Sequence, residues 1–288
     1  MYRLINNHAH DMTPHRWPPA VVLAAIVLLR STAAVAQAPI GVLGIAREVA
    51  PLESRLQSAH DVVVQGYVFR EGTLNGRRVV VGRSGAGKVN ATIVTTLLID
   101  HFAPAAILFS GTAGAIDQGL RPGDVVIGTT MAQHDVGAQT SSGIRRSGTR
   151  NVVTGEMEPV LVPAPPSLLA IARQSAQGLT LPPVKAPDGD RAPRIVEGVI
   201  VTGDVFLNDP ERRDEMRRSL GASAVEMEGA AMVQTCRQFK VSCLVVRSVT
   251  DSADTQASSS YAQFIATASE NAAALVAAII GRLGAASP

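Results

Sequence analysis

The chain of 288 residues is poor in the residues that mark several protein classes. Its two cysteines are too few for a disulfide framework or a four-thiolate zinc site. Aromatic residues make up 3% of the sequence, which leaves little with which to stack nucleic-acid bases. Charge of either sign is scarce at 17%, and 26 basic residues against 24 acidic ones leave a formal charge of only +2. That balance is no electrostatic footprint for DNA or RNA. After residue 36 the histidines are His60, His101 and His134, too scattered to suggest a metal site, and nothing implies a cofactor. No internal repeat is present. What the chain does have is 46% hydrophobic residues, enough to bury a substantial core and too many for a disordered chain.

The apolar run AVVLAAIVLL at residues 20–29 is preceded by Arg3 and Arg16 and followed by Ala34-Val35-Ala36. A basic start, a short apolar centre and a small-x-small site are the features of a secretory signal peptide. Ten helical residues rise about 15 Å, half of a hydrocarbon core, so the run is too short for a comfortable span and no stable membrane anchor is expected. Cleavage is expected after Ala36, which gives a leader at 1–36, a single domain at 37–288 and an exported, periplasmic or secreted protein. Arg3, Arg16 and Arg30 against Asp11 give that leader a charge of +2, so the whole formal surplus belongs to it and the remainder is neutral.

Beyond the leader, short apolar runs alternate with helical patterns. Strands are expected at 40–44, 62–69, 77–81, 105–109, 125–128, 195–202, 222–225 and 241–246. Helices are expected at 47–58, 88–100, 210–218, 227–239 and 261–283, and Asn75-Gly76 reads as a hairpin turn. Residues 137–155 and 181–193 read as loops within the same domain. The alternation predicts an α/β domain with a buried central sheet.

Gly82-Arg83-Ser84-Gly85-Ala86-Gly87-Lys88 follows the start of a P-loop, but Val89 stands where a magnesium-binding hydroxyl is required. A glycine-rich turn that lets backbone approach a ligand is the better reading. Ser110-Gly111-Thr112-Ala113-Gly114 follows a buried strand, where α/β sheets present ligand-binding loops. His134-Asp135, Asp204 and Asp254 read as caps or surface ion pairs. Glu226 and Glu228 open a helix, whose dipole tolerates them. Arg247 and Asp251, four residues apart beyond another apolar strand, need partners or a substrate to offset their desolvation. Cys236 and Cys243 sit in apolar contexts and read as buried free thiols, although pairing is open if their Cα atoms fall within about 7 Å.

Six segments in order, SGAGK at 84–88, SGTAGAI at 110–116, PGDVVI at 122–127, VTGDVF at 201–206, VEMEGAA at 225–231 and VVRSVTDSAD at 245–254, give the chain a strong resemblance. It resembles the purine nucleoside phosphorylase/uridine phosphorylase superfamily, and within it the 5′-methylthioadenosine/S-adenosylhomocysteine nucleosidase branch. The resemblance implies a three-layer fold with a central mixed, largely buried sheet flanked by helices, and a homodimer. It implies a hydrolase that cleaves the N-glycosidic bond of a purine nucleoside with water. Glu48 would activate that water and Asp251 would protonate the departing base. Glu228 would bind the ribose hydroxyls, with Met227 beneath the sugar and Glu226 beside it. Phe206 would stack on the base, Leu207 would read its edge through the backbone, and Tyr261 would supply a second aromatic. Arg247 and Ser84 match positions around the nucleophile and its carboxylate, and Thr250 is a further substrate-binding position. The phosphorylase branch carries an arginine where this chain has Phe109, so phosphate is the second choice of nucleophile. A non-catalytic exported binding or storage relative is the alternative from another class.

Overall fold

The computed structural model describes residues 37–141, 143–185 and 189–285. The expected leader and its cleavage site lie outside them. In chain order the strands are β1 (Ile40–Gly44), β2 (Gln57–Val64), β3 (Tyr67–Leu74), β4 (Arg77–Arg83), β5 (Ala106–Ala115), β6 (Val125–Gln133), β7 (Gly137–Thr140), β8 (Gly143–Arg146), β9 (Val162–Pro163), β10 (Ile195–Thr202), β11 (Ala222–Glu226) and β12 (Ser242–Asp251). The helices are α1 (Ala46–Glu53), α2 (Lys88–Phe102), α3 (Pro166–Ala176), α4 (Pro210–Leu220), α5 (Gly229–Phe239) and α6 (Ala257–Ala285).

The main sheet runs in the order β11-β10-β6-β12-β5-β1-β4-β3-β2, with β9 on β6. It is mixed: β1 is parallel to β4 and β5, and β12 is parallel to β5 but antiparallel to β6. β11 also pairs antiparallel with β5, so β5, β12, β6, β10 and β11 close into a ring. Every residue of β5 is buried, as a near-continuous apolar strand covered on both faces should be. Successive side chains of a strand point to opposite faces. Ile107 and Phe109 accordingly join the cluster with Leu98 of α2 and Met232 of α5, whereas Leu108 joins Val49 of α1 and Ile279 of α6. The layers are therefore α2 and α5, the sheet, then α1, α3 and α6. Met216 and Leu220 of α4 cover Ala222 and Val225 of β11 in a smaller cluster. Among the described residues, α6 alone is long and apolar enough to cross a membrane. Its Ala273, Val276 and Ile280 are instead buried in the cluster beneath the sheet.

Several elements differ from those expected. The strand expected at 62–69 is two strands, because Gln65 and Gly66 adopt positive φ and turn the chain into a β2–β3 hairpin. The Asn75-Gly76 turn joins β3 to β4 as expected. SGTAG is no loop: it is the second half of β5, and RSVTD likewise continues β12. The two extensions pair, Ser110 with Val246 and Gly111 with Arg247, which supplies the backbone partners that such small and polar residues do not advertise. α1 ends at Glu53 rather than 58, and α3 was not expected at all. Part of the 137–155 stretch forms the β7–β8 hairpin, held to α4 by Arg146 on Glu215. Cys236 and Cys243 are not free thiols; they form a disulfide between α5 and β12, with Cα atoms 6.3 Å apart.

Candidate active site

A cavity opens at the carboxyl ends of the parallel strands, where open α/β sheets place ligands. It holds about 650 Å³ of empty space, part of it open to solvent. The chain after β1 brings Ile45 and Glu48 to it, β5 brings Thr112, Ala113 and Gly114, and β12 brings Thr250 and Asp251. Val225, Glu226, Met227 and Glu228 come from the β11–α5 junction, with Phe206 from the loop after β10 and Tyr261 from α6. Eight of the expected site residues thus meet around one space: Glu48, Phe206, Glu226, Met227, Glu228, Thr250, Asp251 and Tyr261.

The other three are placed differently. Arg247 lies behind the cavity, fully buried, with its guanidinium carbon 4.3 Å from the centre of the Phe109 ring. Ser84 is buried and donates to the carbonyl of Gly85 at 3.0 Å. The Leu207 side chain packs into the core with Ile116, Val201 and Met216.

Glu48 is held from two sides. Its Oε1 accepts from the Thr112 amide at 3.0 Å and the Thr112 hydroxyl at 2.5 Å. Its Oε2 accepts from the Ile45 amide at 3.3 Å, a glutamate at N3 of α1 reaching back to the start of its own helix. Arg247 Nη1 stands 3.8 Å from Oε2. Burial raises the Glu48 pKa, against the pull of Arg247 and the Thr112 bonds.

Arg247 is the hub of the site. Its Nη2 donates to Glu226 Oε2 and, at 3.4 Å, to Glu228 Oε2. Burial disfavours its charge, but Glu226, Glu228 and Glu48 outweigh that and hold its pKa above the ordinary value. Glu226 is consumed by this structural work: it also accepts from the Thr202 hydroxyl and from the amides of Glu228 and Gly229 at 3.1 and 2.8 Å. Glu228 is freer. Its Oε1 accepts from the Gly87 amide at 2.8 Å, and burial, followed by the Glu226 charge, pushes its pKa up to about 7. The resemblance set Glu228 apart for the ribose but gave Glu226 a substrate-binding role, and the bonds of Glu226 to Arg247, Thr202 and two backbone amides correct that expectation.

On the far wall, Asp251 Oδ2 accepts from Thr250 Oγ1 at 2.8 Å and Oδ1 from the Ala253 amide at 2.9 Å. Burial raises its pKa. Phe206 and Tyr261 meet edge to face with ring centres 6.0 Å apart, and Phe206 keeps 44% of its surface exposed. The glycine-rich turn between β4 and α2 is no P-loop. The amides of Gly87 and Lys88 that a phosphate would take are occupied by Glu228 and Asp204, and Lys88 Nζ pairs with Asp135 at 2.7 Å. Among the described residues no group of histidine, cysteine, aspartate and glutamate side chains could hold a metal ion.

Residues 39–281 match the family model for the phosphorylase superfamily. A 5′-methylthioadenosine/S-adenosylhomocysteine nucleosidase of an Exiguobacterium species is 38% identical over 246 residues, which cover 85% of this chain and 98% of that one. The nucleosidase of Neisseria meningitidis, solved with methylthio-immucillin-A, superposes with a TM-score of 0.72 at 32% identity, covering 85% of this chain and 99% of that chain. Futalosine hydrolase of Helicobacter pylori superposes with a TM-score of 0.71 at 29% identity, covering 85% of this chain and 97% of that chain. With the fold, the motif order and these relatives in agreement, the chain belongs to the phosphorylase superfamily, in its 5′-methylthioadenosine/S-adenosylhomocysteine nucleosidase branch.

Proposed function

We propose that this protein hydrolyses the N-glycosidic bond of 5′-thio-substituted adenosines, releasing adenine and a ribose derivative. The observation that carries the reading is the convergence of three differently supported carboxyl groups, Glu48, Glu228 and Asp251, with an aromatic pair around one cavity. Breaking this bond develops positive charge on the ribose and negative charge on the base, so an acid is needed on one side and an oriented water on the other. Asp251, with its proton affinity raised by burial, suits the acid that neutralises the departing purine. Glu48, fixed by Thr112 and Ile45, suits the base that orients water at the anomeric carbon. Glu228 keeps acceptor capacity for the ribose hydroxyls, Met227 lines the sugar end, and Phe206 with Tyr261 offers faces and edges to the purine.

Water is favoured over phosphate on electrostatic grounds. The one buried guanidinium at the site is already shared by Glu226 and Glu228, and its face is covered by Phe109. Phosphate entering beside Glu48 would meet three carboxylates, Glu48, Glu226 and Glu228, around a guanidinium that two of them already share. Export is also part of this reading, supported by the leader sequence and by a disulfide, which persists in oxidising compartments. A homodimer is the assembly the resemblance supports.

The deciding experiment is release of free adenine from a panel of 5′-substituted adenosines, with and without phosphate, by wild type and Asp251→Asn. Phosphate-independent release, lowered in the variant by about 100-fold or more as loss of a general acid demands, is expected. Release only with phosphate would make the enzyme a phosphorylase, and none in either buffer would defeat the enzymatic reading.

A further inference from the structure

The loop after β10 and the turn before α2 are far apart in sequence, yet three side chains bind them together. Asp204 Oδ1 accepts from the Lys88 amide at 2.7 Å, so a residue of the Phe206 loop caps α2. The amide of Asp204 donates to Asp135 Oδ2 at 3.0 Å, and Asp135 Oδ1 receives Lys88 Nζ at 2.7 Å. Lys88 Nζ also donates to Gln133 at 3.1 Å. The circuit therefore closes on Lys88 from its backbone and from its side chain. Gly87, next to it, holds Glu228 through its own amide. Gly87 has φ of +90°, and a Cβ there would stand 3.0 Å from Asp204 Oδ1, so the turn is shaped to receive this carboxylate. Two residues beyond Asp204 lies Phe206, exposed and touching only the edge of Tyr261 among aromatic rings of the described residues.

We propose that Asp204, capping Lys88 and anchored by Asp135, is a positioning residue that couples the Phe206 loop to the turn orienting Glu228. The base side of the cavity and the ribose side then form one mechanical unit, although Asp204 itself is absent from the cavity lining. The proposal rests on the nucleosidase reading for its kinetic consequence, and on geometry alone for the coupling. Asp204 is exposed, so truncating it leaves no hole in the core.

The test pairs kinetics with amide hydrogen exchange on the full folded enzyme. Asp204→Ala is expected to lower kcat/KM for adenine release by at least tenfold at a temperature far below its Tm. It is expected to displace the acidic limb of the pH–rate profile, because the Gly87 amide no longer holds Glu228 in place. Asp204→Asn, which keeps an oxygen for the Lys88 amide, is expected to recover most of the rate. In the Phe206→Ala background the Asp204→Ala loss is expected to shrink. Hydrogen exchange in Asp204→Ala is expected to rise at least tenfold in both 85–88 and 203–207. Fully additive losses, an unchanged pH profile, or faster exchange in 203–207 alone would overturn the proposal. Should wild type release no base, the nucleosidase reading fails, while the exchange experiment still decides the coupling.

Discussion

Gly111 has no room for a side chain. A Cβ there would lie 1.8 Å from Arg247 Nη1 and 2.7 Å from Glu48 Oε2, so the strand backbone itself is a wall of the charged site. Gly111→Ala must push Arg247 aside, and misplacing catalytic groups by about 1 Å costs on the order of 100-fold in rate. That loss of adenine release, with far-UV circular dichroism unchanged, is the expected outcome. Glu228 gives a second residue-scale prediction. Its folded pKa of about 7 lies above the model-compound value of 4.5, so between those pH values the folded site retains a proton that the unfolded chain has lost. Stability from this group is therefore greatest below about 4.5, falls as pH rises through the window and stays low above 7. Glu228→Gln is expected to raise Tm at pH 8 relative to wild type while weakening ribose binding, with the stability gain disappearing near pH 4. A Tm gain of equal size at both pH values would show that Glu228 is not held protonated by its surroundings.

The elements that carry the site are tied together away from it. Glu228 stands at the start of α5 and Cys236 near its end; Cys243 opens β12 and Asp251 closes it. The disulfide thus braces the far ends of the two elements and closes a short loop, with a sequence separation of 7. Loop-closure entropy for a ring of that size predicts a contribution of about 2–3 kcal/mol. Removing it by the Cys236→Ala/Cys243→Ala pair is expected to lower stability to chemical denaturant by about that amount and to leave kcat at 25 °C nearly unchanged. Thiol titration of the unreduced, denatured protein is expected to find no free sulfhydryl. Two free thiols would remove the disulfide from the account.

At the scale of the whole molecule, the ring formed by β5, β12, β6, β10 and β11 brings together segments from residue 106 to residue 251. Only this closure sets Gly114 of β5 against Val225 of β11 at the cavity wall. Export makes a prediction at the same scale. Trp17 is the sole tryptophan and lies in the expected leader, so exported protein should show no tryptophan emission and should begin at Gln37 by N-terminal sequencing. Retained emission from protein recovered outside the cytoplasm would refute cleavage at Ala36. Light scattering of the same material measures whether it is a dimer.

The apolar run of β1 stood out at the ends it has in the fold, because burial on both faces leaves a continuous apolar pattern. α3 was legible in principle: Pro166 at its first turn and Leu168, Ala172 and Ser175 on one buried face follow helical spacing. The extensions of β5 and β12 were not. Gly, Ser and Thr in SGTAG and RSVTD are loop formers by composition, and only their mutual pairing makes them strands. The motif order and the acids at 48, 228 and 251 were already present in the linear chain, since residue types and their local spacing are properties of the sequence. Tertiary structure alone decided that Glu226, although it lines the cavity, spends its oxygens on Arg247, Thr202 and two backbone amides, and that the two cysteines pair. A charge's partners and a thiol's neighbour depend on distances between segments, and those distances exist only once the chain has closed on itself.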